Sequence, residues 1–345
     1  MNLKHRIEGF VLLGEIMRAV GSSQIDPNNQ QQVQLDALVR SERAHNGWFT
    51  DENVRRSLLA HGEWLTEERL SEWLGRYDVP EEPSESKTIA TVLAGNIPLV
   101  GFHDILCVLL SRNKVLIKFS RDDARLIPFL LECLVSYDSG FKELIRMTPG
   151  KLTDFDAVIA TGSGNTARYF NHYFGKHPHV IRKNRTSVAV LTGEETEEEL
   201  KLLAEDVFTY FGLGCRNVTK VFMPEDFDLD RMFGGFFHYG EIANHNKYAN
   251  NYDYHKALWL LNGEDLIENG FLLVKEDEQL VSPVGSLFIQ RYKDQQVVET
   301  YLNEKKEEIQ CVVGRSFVPF GKAQSPDLMD YADDVDTMKF ILELQ

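Results

Sequence analysis

Cys215 stands in "YFGLGCRNVTKVF", residues 210–222, flanked by Gly212 and Gly214 and followed by Arg216. Glycines lower backbone crowding around a side chain. A neighbouring cation and nearby N–H groups could draw a thiol toward the thiolate, the form that attacks carbonyls. The other cysteines, Cys107, Cys133 and Cys311, lie in apolar helix- or strand-like patterns. On local spacing Cys215 is either a nucleophile or a small buried residue. The spacing leans to the second, since free cysteine is among the most buried residue types.

Two further patterns carry possible chemistry. In "AVIATGSGNTARYF", Thr161, Gly162, Ser163 and Gly164 run into Ala167 as G-x-G-x-x-A, after a strand pattern and at the start of a helix pattern. There, backbone N–H groups could face a pyrophosphate, with glycine letting it approach. The acid that accompanies this fingerprint about 20 residues on is missing, because "VIRKNRTSV" is basic. The stretch is therefore either a phosphate turn or a plain strand-to-helix turn. The basic run, Lys176, Arg182, Lys183 and Arg185, is dense for so acidic a chain. It could receive the 2′-phosphate of NADP or the phosphates of coenzyme A, or it is a solvated surface run. Of ten histidines, His103 falls on an apolar helix pattern, and His238, His245 and His255 fall in an aromatic-rich stretch. No histidine or cysteine spacing suggests a metal site.

The elements that must position these residues change type along the chain. Residues 1–80 have apolar residues at helical spacing, and "DVPEEPSESK" is a connector. Then "KTIATVLAG", "KVLIKFS", "FDAVIATG", "TSVAVLTG" and "NVTKVFMP" read as buried strands alternating with helices. Such alternation predicts βαβ units and parallel sheets covered on both faces. The helix in "DDARLIPFLLECLVSY" is expected to open on its two acids, at the positive end of its dipole. Beyond about residue 225 strands are expected at "ALWLLNG", "GFLLVKE" and "GSLFIQRY", before a closing loop and helix.

A chain of 345 residues is expected to hold two domains, at about 150 residues each. A net charge of −16 argues against general nucleic-acid or membrane-surface binding, which needs a positive field. The N-terminal apolar stretch is broken by Glu8 and Glu15, unlike a secretory signal. No apolar run reaches the ~20 residues of a membrane span. The expectation is a cytoplasmic protein with reduced thiols.

In chain order, "AGNIPLVGFHDIL", "NKVLIKFSRDD", "VIATGSGNTARYF", "YFGLGCRNVTKVF", "SPVGSLFI" and "VPFGKAQSP" resemble the aldehyde dehydrogenase superfamily. Within it they are most similar to the fatty acyl-CoA reductases of the luminescence type, the LuxC family. The resemblance spans roughly residues 88–340. It implies an α/β fold of two Rossmann-like, three-layer lobes with parallel sheets and an active-site cleft between them. The cofactor lobe would be 1–190 plus 318–345, and the catalytic thiol lobe 191–317. Position by position, Cys215 matches the family's nucleophile and Asn96 its oxyanion-hole asparagine. Lys118 matches the lysine on the cofactor's adenosine ribose, and Gly162 and Ser163 match the turn at its phosphates. Pro283, Gly285, Phe320 and Gly321 match regions lining the nicotinamide. Hydrolytic relatives carry a water-activating glutamate where this chain has Ile181. The implied activity is accordingly reduction of an acyl-CoA, in particular a fatty acyl-CoA, to the aldehyde through a cysteine thioester. NADPH is the expected cofactor, NADH the alternative. The same residues would serve a CoA-acylating aldehyde dehydrogenase running oxidatively, and a different class, an inactive nucleotide- or CoA-binding scaffold, also fits. A homo-oligomer or acyl-transferring partner subunits, with which the family's relatives in light-emitting bacteria work, are further implications.

Overall fold

The structure is a computed structural model. It describes residues 1–80, 86–162 and 164–344, without the side chains of 164–168. Contacts divide the chain into two compact units, Met1–Asn184 with Asp327–Gln345, and Arg185–Pro326.

The first unit begins with helices α1 (Leu3–Gly21), α2 (Gln30–His45), α3 (Asp51–Trp64) and α4 (Glu67–Leu74). Asn2, Asn29, Thr50 and Thr66 cap them, each side chain accepting an otherwise unpaired N–H of the first turn. There follow β1 (Thr88–Val92), α5 (Phe102–Leu110), β2 (Lys114–Lys118), α6 (Leu126–Tyr137), β3 (Ile145–Met147), β4 (Ala157–Thr161), α7 (Gly164–Phe174) and β5 (His179–Arg182). The strands form one parallel sheet in the order β3-β2-β1-β4-β5. Alternate strand residues feed two cores. Ile89, Val115, Ile117 and Ile159 pack with Phe10, Met17 and Phe102 of the helices, while Ala90, Leu116, Val158 and Ala160 pack with Phe170 and Phe174 of α7. Both faces are covered, so these strands read as unbroken apolar runs.

The second unit comprises β6 (Thr186–Val190), α8 (Glu197–Phe208), β7 (Val218–Pro224), α9 (Leu229–Phe236), α10 (Asn246–Leu261), β8 (Ile267–Glu268), β9 (Leu273–Glu276), β10 (Ser286–Tyr292), α11 (Gln295–Glu304) and β11 (Ile309–Val313). Its sheet order is β11-β6-β7-β10-β9-β8, parallel except that β8 runs antiparallel to β9. Thr196 and Glu199 close a reciprocal capping box at the start of α8. The chain returns to the first unit with α12 (Thr337–Leu342).

The structure corrects four expectations. The first unit ends at Asn184 rather than 190, because β6 pairs with β7 and β11 of the second sheet. The return to it falls at Asp327 rather than 318, because Gly321 and Ala323 are hydrogen-bonded to Asp206 of α8. "ALWLLNG" is the end of α10 rather than a strand: Trp259 is buried while Leu260 and Leu261 are exposed, continuing a helical pattern with Tyr248 and Tyr252. A short apolar run does not distinguish the two by itself. Finally, α6 has no acid in its first turn. Asp123 lies before it, turned to the N–H of Leu99.

Candidate active site

The residues singled out in the sequence are divided between the units. In the second, the turn bearing Cys215 is built from the end of α8. Tyr210 (φ 54°), Phe211 (φ 59°) and Gly212 (φ 76°) are all left-handed. For the two non-glycine residues this costs roughly 1–2 kcal/mol each. Tyr210 is buried, and the Phe211 ring lies 4.2 Å from that of His245, the N-cap of α10. Asn217, fully buried, then gathers the turn. Its Nδ2 donates to the carbonyls of Asp206 (3.1 Å), Val207 (3.3 Å) and Thr209 (2.8 Å), and its Oδ1 accepts the N–H of Gly214 at 2.8 Å. The carbonyl of Cys215 accepts from Ser187 Oγ at 3.0 Å.

The four thiols differ in setting. Cys107 and Cys133 are buried, and burial pushes the first well above the ordinary thiol range and the second up to about 12. They stay protonated. Cys215 and Cys311 are half-buried.

Pro283 lies in the turn between β9 and β10, its carbonyl accepting from Ser286 N–H (3.1 Å) and Oγ (2.6 Å). Gly285 adopts φ 83°, and a Cβ there would come within 3.1 Å of the Tyr252 backbone. A cavity of about 20 Å³ is lined by Phe208, Phe211, Gly212, Tyr248 and Pro283, joining this turn to the flank of the Cys215 turn. Phe320 is buried, and the next residues are fixed by Asp206, whose carboxylate accepts the N–H groups of Gly321 (2.7 Å) and Ala323 (2.9 Å). Burial raises this carboxyl to about 6 against the pull of those two bonds.

In the first unit, Asn96 is exposed on the loop from β1 to α5. That loop is tied by Ser57 Oγ to the Pro98 carbonyl (2.8 Å) and by the N–H of left-handed Leu99 to Asp123 Oδ2 (2.8 Å). Gly95 lets it lie against the segment after β2, since a Cβ would fall 2.5 Å from Ser120 Oγ. Asp123 is buried, which raises its carboxyl to about 7, and its Oδ1 has no hydrogen-bond partner. Lys118, ending β2, lines a groove of about 900 Å³ with Lys151, Phe155, Tyr169 and Tyr173. Both tyrosines are largely exposed. Thr161 ends β4, and Gly162 N–H extends the ladder to the Arg182 carbonyl at 3.3 Å. Ser163 lies outside the described residues, and Gly164 opens α7.

The basic run does not form one patch. Arg182 is withdrawn from the phosphate candidates: it is buried, holds both oxygens of Asp104 (2.9 and 2.7 Å) and donates to Thr337. The Asp104 pair outweighs desolvation and raises its pKa. Arg185 faces Glu307 and the Ile309 carbonyl. Lys183 is exposed. Among the described residues no group of histidine, cysteine and acidic side chains could hold a metal ion, and no helix is long and apolar enough to cross a membrane. Sequence reading missed Asn217, Ser187, Asp206 and Asp123. Only Asn217 left a signal, as a turn-forming residue two places from the cysteine.

Residues 47–231, carrying Asn96, Lys118, the Gly162 turn and Cys215, match the acyl-CoA reductase (LuxC) family. The chain belongs to this family. A long-chain acyl-protein thioester reductase of Aliivibrio fischeri is 24% identical over 243 residues, 63% of this chain and 49% of the relative. The chain thus spans about half the length of the curated relative it matches. Among solved structures, HpcC from Thermus thermophilus superimposes with a TM-score of 0.64 at 12% identity, over 91% of this chain and 70% of its own. An aldehyde dehydrogenase of Mycobacterium tuberculosis complexed with NAD+ gives 0.60 at 13%, over 86% and 71%. The fold of this LuxC-family chain is aldehyde-dehydrogenase-like, an α/β fold with parallel-strand sheets.

Proposed function

We propose that this protein reduces an acyl thioester, a fatty acyl-CoA in particular, to the aldehyde through a thioester on Cys215, with NADPH as the hydride donor. The observation that carries this is a half-buried thiol held on a turn fixed on both flanks, in a chain of an acyl reductase family. The Cys215 thiolate attacks the thioester carbonyl, and coenzyme A leaves as its thiolate. The backbone N–H of Cys215 stabilises the oxyanion, the largest single term in such reactions, and Asn96 is assigned to the same role by the resemblance of its motif alone. The nicotinamide cofactor, when bound, supplies the hydride. The thiohemiacetal on Cys215 then collapses, releasing the aldehyde and returning the thiolate. Ile181 stands where hydrolytic relatives carry their water-activating glutamate, which favours reduction of the thioester over its hydrolysis.

The groove beside α7 fits the adenosine half of such a cofactor. Tyr169 and Tyr173 offer faces to a purine, Lys118 and Lys151 offer ammonium groups to ribose hydroxyls and phosphates, and the N-terminus of α7 adds its dipole. NADPH preference rests on these cations and on Lys183.

The expected outcome for Cys215→Ala is loss of acyl-CoA-dependent NADPH consumption with cofactor affinity unchanged by fluorescence titration. A wild-type protein that turns over no acyl-CoA of any chain length, and whose Cys215 is not acylated by mass spectrometry, would overturn the proposal in favour of a binding scaffold.

A further inference from the structure

We infer that Ser187 and Cys311 are positioning residues for the Cys215 nucleophile, Cys311 acting through Ser187 as a second thiol that sets the first. This rests on the reading of Cys215 given above.

A serine hydroxyl has one proton and two acceptor lone pairs. Ser187 on β6 is fully buried, so its partners must come from the protein, and three groups lie around its hydroxyl. Its proton goes to the Cys215 carbonyl at 3.0 Å. One lone pair takes the backbone N–H of Cys311 at 3.2 Å. Cys311 Sγ lies 3.1 Å from the same oxygen. With the serine proton already committed, the thiol is the donor, and the chain runs from Cys311 S–H to Ser187 Oγ to the Cys215 carbonyl.

The backbone is arranged around this chain. The β6–β11 ladder slips between Ile309 and Val312, and the β6–β7 ladder slips between Ser187 and Val188. Ser187 therefore sits at irregularities on both sides, and Cys311 N–H turns to its oxygen. Such irregularities commonly re-aim side chains near functional sites. On the other flank, Asn217 Oδ1 holds Gly214 N–H. The peptide groups before and after the one carrying Cys215 N–H are thus both fixed. That aims the N–H proposed for the oxyanion before any substrate arrives, and preorganised donors of this kind lower a barrier without reorganising in the reaction.

Four variants, Cys215→Ala, Ser187→Ala, Cys311→Ala and Cys311→Ser, are compared with wild type. The readouts are acyl-CoA reduction, the single-turnover rate of Cys215 acylation by mass spectrometry, cofactor affinity and thermal unfolding. Ser187→Ala is expected to slow Cys215 acylation about tenfold, as a fall in kcat with cofactor affinity unchanged. Cys311→Ala is expected to slow it by a smaller factor, about threefold, because the serine stays but loses the donor that orients it. Cys311→Ser, which restores an O–H donor, should recover the wild-type rate. If Ser187→Ala does not fold, the Cys311 pair alone decides: equal rates for the alanine and serine variants overturn the inference. Wild-type acylation in a folded Ser187→Ala protein overturns it as well. Retained acylation and turnover in Cys215→Ala instead defeats the nucleophile reading itself, whatever Ser187 does.

Discussion

In the first unit the loop bearing Asn96 hangs on an ionisable group, the buried Asp123 carboxyl, together with Ser57. In the second unit the turn bearing Cys215 hangs on uncharged groups, the Asn217 amide and the Ser187 hydroxyl. Asp123 keeps one oxygen without a partner, whereas each side-chain polar atom of Asn217 and Ser187 has one. A buried carboxyl near 7 makes its loop sensitive to pH, while amide and hydroxyl clamps hold alike at any pH the protein tolerates. The two groups that bond directly to the turn presenting Cys215 therefore do not titrate.

Removing the neutral clamp should have a large effect at every pH. Asn217→Ala leaves the Gly214 N–H and the carbonyls at the end of α8 without their partner in a buried site. The expected loss is about 3 kcal/mol, measured by denaturant unfolding, and it should be the same at pH 5 and pH 8. A loss that varies strongly with pH would break the contrast between the two supports.

Asp123→Asn tests the other side. The folded-state pKa of Asp123 is raised to about 7 from 3.8. The folded protein therefore binds the extra proton, and the stability it brings is complete below about 4 and lost as pH rises through 7. His61 behaves oppositely: burial lowers it to about 4 from 6.5, so its contribution is complete above 6.5 and lost as pH falls toward 4. In wild type the two slopes oppose each other between pH 4 and 6.5. Asparagine mimics the protonated acid, still accepting from Leu99, and removes one slope. Relative to wild type the variant should gain on the order of 2–4 kcal/mol between pH 4 and 7.5, read from unfolding midpoints across that range. A constant difference would mean that Asp123 does not titrate in the folded protein.

The same contrast explains what the sequence made legible. Strands covered on both faces, such as Thr88–Val92 and Thr186–Val190, stand out as apolar runs, and the parallel sheets follow from their alternation with helices. The Cys215 turn is visible because its glycines are local. Its clamps are not: Ser187 meets Cys311 across 124 residues of chain, and no spacing announces such a pair. Arg182 read as a phosphate ligand for the same reason, since its partner Asp104 lies 78 residues away. Charge in sequence reports density, and burial decides whether that charge is free to meet a ligand.

The smallest effect expected is also the one with a distinctive sign. Phe211 is left-handed, and its ring packs on His245 and Tyr248. Phe211→Ala keeps the backbone cost and loses the ring. Phe211→Gly loses the ring but relieves the backbone by about 1 kcal/mol. At ordinary positions glycine is less stable than alanine by about that amount. Here the order should invert, with the glycine variant unfolding at the higher denaturant concentration. If alanine proves the more stable of the two, Phe211 does not hold the left-handed conformation in solution, and the turn that presents Cys215 relies on Asn217 and Ser187 without stored backbone strain.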